Sequence, residues 1–94
     1  MSGSFENRVI RGQDMFYIDL GPGERAYLVY SIEGKILSIV STYTPERFRG
    51  RGLAAEITSA ALRYAKENRL KIKPLCEFAV RFLEQHPEYK NLLE

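Results

Sequence analysis

Residues 44–54, TPERFRGRGLA, concentrate the side chains and backbone features of this chain that could bind an anion. Gly50 and Gly52 permit a tight turn that presents bare backbone N–H groups. A helix beginning near Leu53 would add its unpaired first-turn donors and the positive end of its dipole. Three arginines lie in the same segment: Arg47, Arg49 and Arg51. One guanidinium group can donate two parallel hydrogen bonds to phosphate oxygens. The segment therefore predicts a phosphate or diphosphate site.

A second candidate for chemistry is Cys76, the only cysteine of the chain. It follows a predicted strand and directly precedes a predicted helix, so its thiol could lie beside helix N–H groups that stabilise a thiolate. A lone cysteine can equally be a small buried apolar residue. The residues alone leave both interpretations open.

The composition predicts one soluble domain over residues 1–94, because 45% of the residues are apolar and 28% are charged. No segment approaches the roughly 18 uninterrupted apolar residues of a membrane helix, so we expect no membrane span. The first residues, MSGSFENR, precede no apolar secretory segment. We therefore expect a cytoplasmic protein, and a single cysteine agrees with a reducing compartment. We expect no metal site.

The charge distribution favours a small anionic ligand over a long polyanion. The formal net charge is only +2, and the positive charges of residues 47–51 form a spot and not a stripe. Nucleic acid is therefore the less favoured partner.

The elements that must position these residues are read from periodicity and turn signals. Strands are predicted over residues 5–11, 15–20, 26–32 and 36–43, with a hairpin turn at Glu33-Gly34. Apolar spacing predicts a helix from Leu53 to about Asn68. Residues 70–75 form a fifth strand, parallel to the fourth because a helix joins them. A second helix over residues 77–85 and a final turn from Pro87 complete a mixed α/β fold.

Of two other phosphate-loop interpretations of the glycine pair, the Walker A loop fails and the dinucleotide-binding loop is disfavoured. A Walker A loop needs Lys-Ser/Thr after its last glycine, whereas Leu53 and Ala54 follow here. Residues 50–55 fit the dinucleotide pattern GxGxxA, but a loop separates Tyr43 from Gly50 and no acidic residue ends the next strand.

Residues 47–54, RFRGRGLA, match Arg-x-x-Gly-x-Gly followed by small or apolar residues. This resembles motif A of the GNAT-type acyl-CoA N-acyltransferases. PERFRGRGLA, a lone cysteine after the fifth strand and the final HPEYKNLL are similar to small stand-alone GNAT-like proteins that keep only the coenzyme-binding core. The resemblance implies a minimal GNAT-like fold of four antiparallel strands, a crossover helix, a fifth strand parallel to the fourth and C-terminal helices.

The resemblance also implies acetyl-CoA as the ligand and places it on this chain. The backbone of Thr42, Tyr43 and Thr44 would pair with the pantetheine arm. The diphosphate would lie on the backbone of residues 49–54, with Arg47 and Arg49 as side-chain donors. The full implied coenzyme-binding set is Thr42, Tyr43, Thr44, Arg47, Phe48, Arg49, Gly50, Arg51, Gly52, Leu53 and Ala54. Cys76 would lie close to the thioester as the catalytic candidate.

The chain departs from the family pattern at the general base. Residues 36–43 contain no carboxylate, and Ser41-Thr42 stands where the small subfamily often has His-Thr. We expect N-acetyl transfer from acetyl-CoA to an unidentified amine. The alternatives are a non-catalytic module that binds or senses acyl-CoA, and a small RNA-binding domain that uses residues 47–51.

Overall fold

A computed structural model describes residues 8 to 94 as one mixed sheet with helices against one face. In this part of the chain the strands are β1 Ile10–Arg11, β2 Met15–Gly21, β3 Glu24–Glu33, β4 Ile36–Tyr43 and β5 Lys71–Pro74. The α-helices are α1 Leu53–Glu67 and α2 Glu77–Gln85, and 3-10 helices cover Glu46–Phe48 and Pro87–Leu92. The strand order is β1-β2-β3-β4-β5.

The predicted fold class is confirmed. β1 to β4 form an antiparallel meander, and β5 pairs parallel to β4 after the α1 crossover. The first predicted strand is shorter than expected: only Ile10–Arg11 is strand, and residues 5–7 lie outside the described residues. The β3–β4 turn falls on Gly34 and Lys35, one residue later than predicted. Gly34 has φ +60°, a conformation that glycine adopts without strain.

The core lies between the helices and one face of the sheet. Along much of β2, β3 and β4, alternate residues are buried, as expected when only one face of a sheet is covered. α1 places its apolar stripe on this face, and α2 adds Ala79, Phe82 and Leu83 to the same core. Within it, the fully buried Thr58 hydroxyl has no hydrogen-bond partner among residues 8 to 94.

β4 loses one of its two partner strands halfway along. Val29 is opposite Ser41 and Tyr30 is opposite Ile39, so Val40 is an extra residue that forms a β-bulge. Pairing between β4 and β5 ends at Ile39 and Pro74. Beyond Ile39, β4 pairs with β3 alone, and the two parallel strands part.

The far edge of β5 meets the C-terminal segment. Ile72 and Leu93 form an isolated parallel bridge, and the Glu94 N–H donates to the Ile72 carbonyl at 3.0 Å. Within residues 8 to 94, neither α-helix has the length and apolar character needed to cross a membrane.

Candidate functional site

A cleft of about 430 Å³ opens where β4 has parted from β5. Its walls come from the end of β4, the β4–α1 loop, the first turn of α1 and the first turn of α2. The lining residues are Thr42, Tyr43, Thr44, Phe48, Arg49, Gly50, Gly52, Leu53, Ala54, Ala55 and Phe78. All the predicted coenzyme-binding residues except Arg47 and Arg51 are therefore brought together here.

The end of β4, which forms one wall of the cleft, has backbone N–H and C=O groups that a ligand could use. In an antiparallel pair, alternate residues turn their N–H and C=O groups away from the partner strand. Thr42 and Tyr43 pair only with β3, at Leu28 and Tyr27, so this stretch of β4 has a second edge that β5 does not cover. An extended polar ligand can pair with such an edge as an added strand would.

The β4–α1 loop is closed by local hydrogen bonds. The Phe48 N–H donates to the Pro45 carbonyl at 2.9 Å, and Arg49 Nε donates to the Thr44 carbonyl at 2.8 Å. Gly50 and Gly52 follow with φ of +82° and +77°, in the left-handed region that disfavours other residues. A Cβ at either glycine would meet no atom within 4 Å, so the outer surface of the loop is open.

The first turn of α1 supplies the anion-binding donors. Gly52 is the N-cap and has no side chain that could cap the helix. The first intrahelical bond runs from the Glu56 N–H to the Gly52 carbonyl at 3.0 Å. The N–H groups of Leu53, Ala54 and Ala55 precede that bond and have no acceptor within the helix. These three residues line the cleft, and two of them have the small side chain of alanine, so a phosphate could approach the helix end closely.

The three arginines of the segment have different environments. Arg49 lines the cleft. Arg47 forms an ion pair with Glu24, and that hydrogen bond raises the pKa of Arg47 above its ordinary value. The Arg47 and Arg51 guanidinium carbons lie 5.1 Å and 5.3 Å from the centre of the Phe48 ring. Phe48 therefore holds two cations at the mouth of the cleft by cation–π contact.

Cys76 is the N-cap of α2, at the junction with β5 that the sequence predicts. Its side chain is half-buried against the core and makes no capping hydrogen bond. The thiol does not line the cleft, whereas Phe78, two residues later, does. Phe78 and Ala55 are cleft residues that the sequence analysis did not assign to the coenzyme-binding set. Helical spacing alone does not say which cavity a residue meets.

The chemistry of the lining is that of a binding cleft. Among the described residues that line it, none carries a carboxylate or an imidazole. The donors are backbone N–H groups and the Arg49 guanidinium, which together suit a diphosphate. Across residues 8 to 94, no cluster of three or more His, Cys, Asp or Glu side chains could hold a metal ion.

Comparisons with known proteins agree on one family. A family model for GCN5-related N-acetyl-transferase matches residues 15–92. Protein NATD1 of Homo sapiens and that of Gallus gallus are each 34% identical over 68 residues, which is 71% of this chain. The match spans only about 60% of the length of these relatives.

A solved structure of a GCN5-like protein has a similar fold. The NMR structure of a GCN5-like protein from Staphylococcus aureus superposes with a TM-score of 0.76 at 26% identity. The superposition covers 92% of this chain and 86% of that one. With most of the chain matched by the family model and by this fold, the protein belongs to the GCN5-related N-acetyltransferase family.

Proposed function

We propose that the protein binds acetyl-CoA in the cleft and transfers the acetyl group to an amine. One observation supports this most directly: Leu53 to Ala55, whose N–H groups precede the first intrahelical bond, line the same cleft as Thr42 and Tyr43 of the β4 edge that β5 does not cover. The first would hold a diphosphate and the second an extended amide-containing arm. Coenzyme A carries both groups, joined in that order.

The residues present fit this ligand. Gly50 and Gly52 leave the loop surface open, so a diphosphate could approach the backbone closely. Arg49 would donate to it from the cleft wall. Phe48 and Phe78 line the same cleft and would give the arm apolar contacts. Thr42 to Thr44 would pair with the pantetheine amides.

The bonds and protons of the acetyl transfer balance with acetyl-CoA and the amine alone. A neutral amine attacks the acetyl carbonyl carbon, a C–N bond forms and the C–S bond breaks. The nitrogen loses one proton, and the departing coenzyme thiolate gains one. Cys76 lies outside the cleft lining but only two residues before the cleft-lining Phe78, and a small shift at the start of α2 would bring its thiol to the cleft. It is the candidate to donate that proton or to hold the acetyl group transiently as a thioester.

Isothermal titration with acetyl-CoA tests the binding step, with saturable 1:1 binding expected. Release of coenzyme thiol in the presence of an amine panel tests the transfer. Absence of acetyl-CoA binding at millimolar ligand would refute the proposal as a whole.

A second candidate function is an acyl-CoA-binding module without a dedicated acceptor. The absence of a carboxylate or imidazole among the described cleft-lining residues favours it, because no residue there is an evident general base. Acetyl-CoA binding without amine-dependent thiol release would select this candidate.

Cys76 separates a covalent route from direct attack. Intact mass spectrometry after incubation with acetyl-CoA should show one acetyl adduct, removable by hydroxylamine and lost in Cys76→Ala. If no adduct forms and Cys76→Ala transfers acetyl at the wild-type rate, attack is direct and the cysteine has a packing role.

A further inference from the structure

A row of tyrosines crosses the face of the sheet opposite the helices. Tyr17 of β2 pairs with Tyr27 of β3, and Tyr27 pairs with Tyr43 of β4. Paired residues of neighbouring strands share one face, so the three rings form a lateral series. The Tyr27 and Tyr43 ring centres are 5.4 Å apart. Both α-helices pack on the other face, so within residues 8 to 94 no helix covers this row.

At one end of the row, the Tyr17 ring already contacts a cationic side chain, that of Arg25. The Arg25 guanidinium carbon lies 3.8 Å from the centre of the Tyr17 ring. Arg25 Nε also donates to Asp19 Oδ1 at 3.1 Å. The environment thus combines an aromatic face with a carboxylate, the combination that recognises cationic nitrogen.

The other end of the row offers the same combination around a depression. A depression of about 380 Å³ is lined by Met15, Gly23, Glu24, Arg25, Tyr27, Tyr43 and Pro45. Tyr27 and Tyr43 supply the aromatic surface, and Glu24 supplies the carboxylate. One oxygen of Glu24 accepts from Arg47, and a carboxylate has further acceptor capacity on the other.

The charges around the depression favour a cationic ligand over a phosphate-bearing one. The two arginines nearest to it each have a carboxylate partner, Asp19 for Arg25 and Glu24 for Arg47. A phosphate would have to compete with those carboxylates, whereas an ammonium would not.

Tyr43 connects this depression to the cleft, since this residue lines both. Tyr43 lies beyond Ile39, where the pairing of β4 with β5 ends, so no strand of the described residues covers that side of β4 at Tyr43. A flexible ligand of a few methylene groups could therefore place one end over Tyr27 and the other in the cleft.

We propose that the depression between Tyr27 and Tyr43 anchors one ammonium group of a diamine or polyamine whose other amine enters the cleft. The inference rests on the proposed acetyl transfer and names its acceptor class. Two nitrogens are required because the attacking amine must be neutral, whereas a nitrogen held on tyrosine rings and Glu24 is held as a cation.

The binding test uses the aromatic NMR signals of Tyr27 and Tyr43 during titration without coenzyme. Putrescine and spermidine should shift these signals saturably, and 1,4-butanediol, a neutral analogue of putrescine, should not. Tyr27→Leu should weaken spermidine binding about fivefold or more, while Tyr27→Phe, which keeps the ring, should stay within about twofold. Equal spermidine binding by Tyr27→Leu, or tighter binding of AMP than of spermidine by the same rings, would overturn the proposal.

The transfer test compares putrescine with butylamine, which has the same chain length and lacks the second nitrogen. Putrescine should be acetylated at least about fivefold more efficiently, and Tyr27→Leu should remove that preference. Equal efficiency for the two amines in the wild-type protein would overturn the proposal. Tyr27 does not line the cleft, so acetyl-CoA affinity should be unchanged in the variant. A failure of acetyl-CoA binding would instead refute the proposed function, and the coenzyme-free titration separates the two results.

Discussion

Arg8 and Glu56 form a two-point ion pair at the start of α1. Arg8 Nε donates to Glu56 Oε2 at 2.8 Å, and Arg8 Nη2 donates to Oε1 at 2.7 Å. Glu56 lies in the first turn of α1, next to the cleft-lining residues Leu53 to Ala55. A first-turn carboxylate would repel a bound phosphate, and the pairing with Arg8 offsets its charge.

We therefore expect Arg8→Gln to weaken acetyl-CoA binding by roughly threefold at low salt, the scale of an exposed charge interaction. The effect should shrink at high ionic strength because the charges are screened. Arg8→Gln combined with Glu56→Gln should restore the wild-type affinity. Titration of the three proteins at two salt concentrations measures this, and a double variant as weak as Arg8→Gln would contradict it.

Gly50→Asp should abolish measurable acetyl-CoA binding, because it places a side chain and a negative charge on the open surface of the loop. Gly34→Asp is the matched control: Gly34 also has positive φ and open surroundings, but it lies in the β3–β4 turn. Both substitutions should destabilise the fold by about 1 to 2 kcal/mol through backbone strain. Loss of acetyl-CoA affinity in Gly34→Asp as well would mean that instability, and not the cleft, explains the result.

Arg49→Ala should weaken acetyl-CoA binding by about 1.5 to 3 kcal/mol, the range for a hydrogen bond to a charged group. Arg47→Ala should have a smaller effect, since Glu24 already holds that guanidinium outside the cleft lining. Lys66→Ala, in the last turn of α1, controls for the loss of one positive charge. Equal losses of affinity in Arg49→Ala and Lys66→Ala would show that Arg49 acts only through its positive charge and donates no hydrogen bond to the ligand.

Thr58→Val should stabilise the protein by about 1 kcal/mol, because it removes a buried hydroxyl that has no hydrogen-bond partner and keeps the side-chain shape. Thr58→Ala should be less stable than Thr58→Val, since it also removes a buried methyl group. Denaturant midpoints at constant m-value report both changes. A destabilised Thr58→Val would show that the hydroxyl is satisfied in solution.

The local parts of the site could be predicted from the sequence. Gly50 and Gly52 adopt the positive φ values expected of glycine in a tight turn, and Leu53 begins the helix as its apolar spacing indicates. These features depend on a few consecutive residues. The parallel pairing of β5 with β4 followed from the helix between them, because a crossover connection constrains strand direction.

The long-range parts could not be predicted. The Arg47–Glu24 ion pair joins residues 23 positions apart and depends on how β3 meets the β4–α1 loop. The bulge at Val40 reverses which side chains along β4 face the core. No glycine or proline in that strand indicates a bulge. The position of Phe78 in the cleft depends on the packing of α2, which helical periodicity alone does not determine.

The bridge between Ile72 and Leu93 has a consequence for behaviour at high concentration. β5 is the last strand of the sheet, and an uncovered edge strand is a template on which another molecule can add a strand. Leu93 and Glu94 occupy part of that edge, and Pro74 cannot donate a hydrogen bond at its end. These residues leave less of the β5 edge free for strand addition by a second copy, while β4 keeps an unpaired stretch beyond Ile39 that a ligand could use.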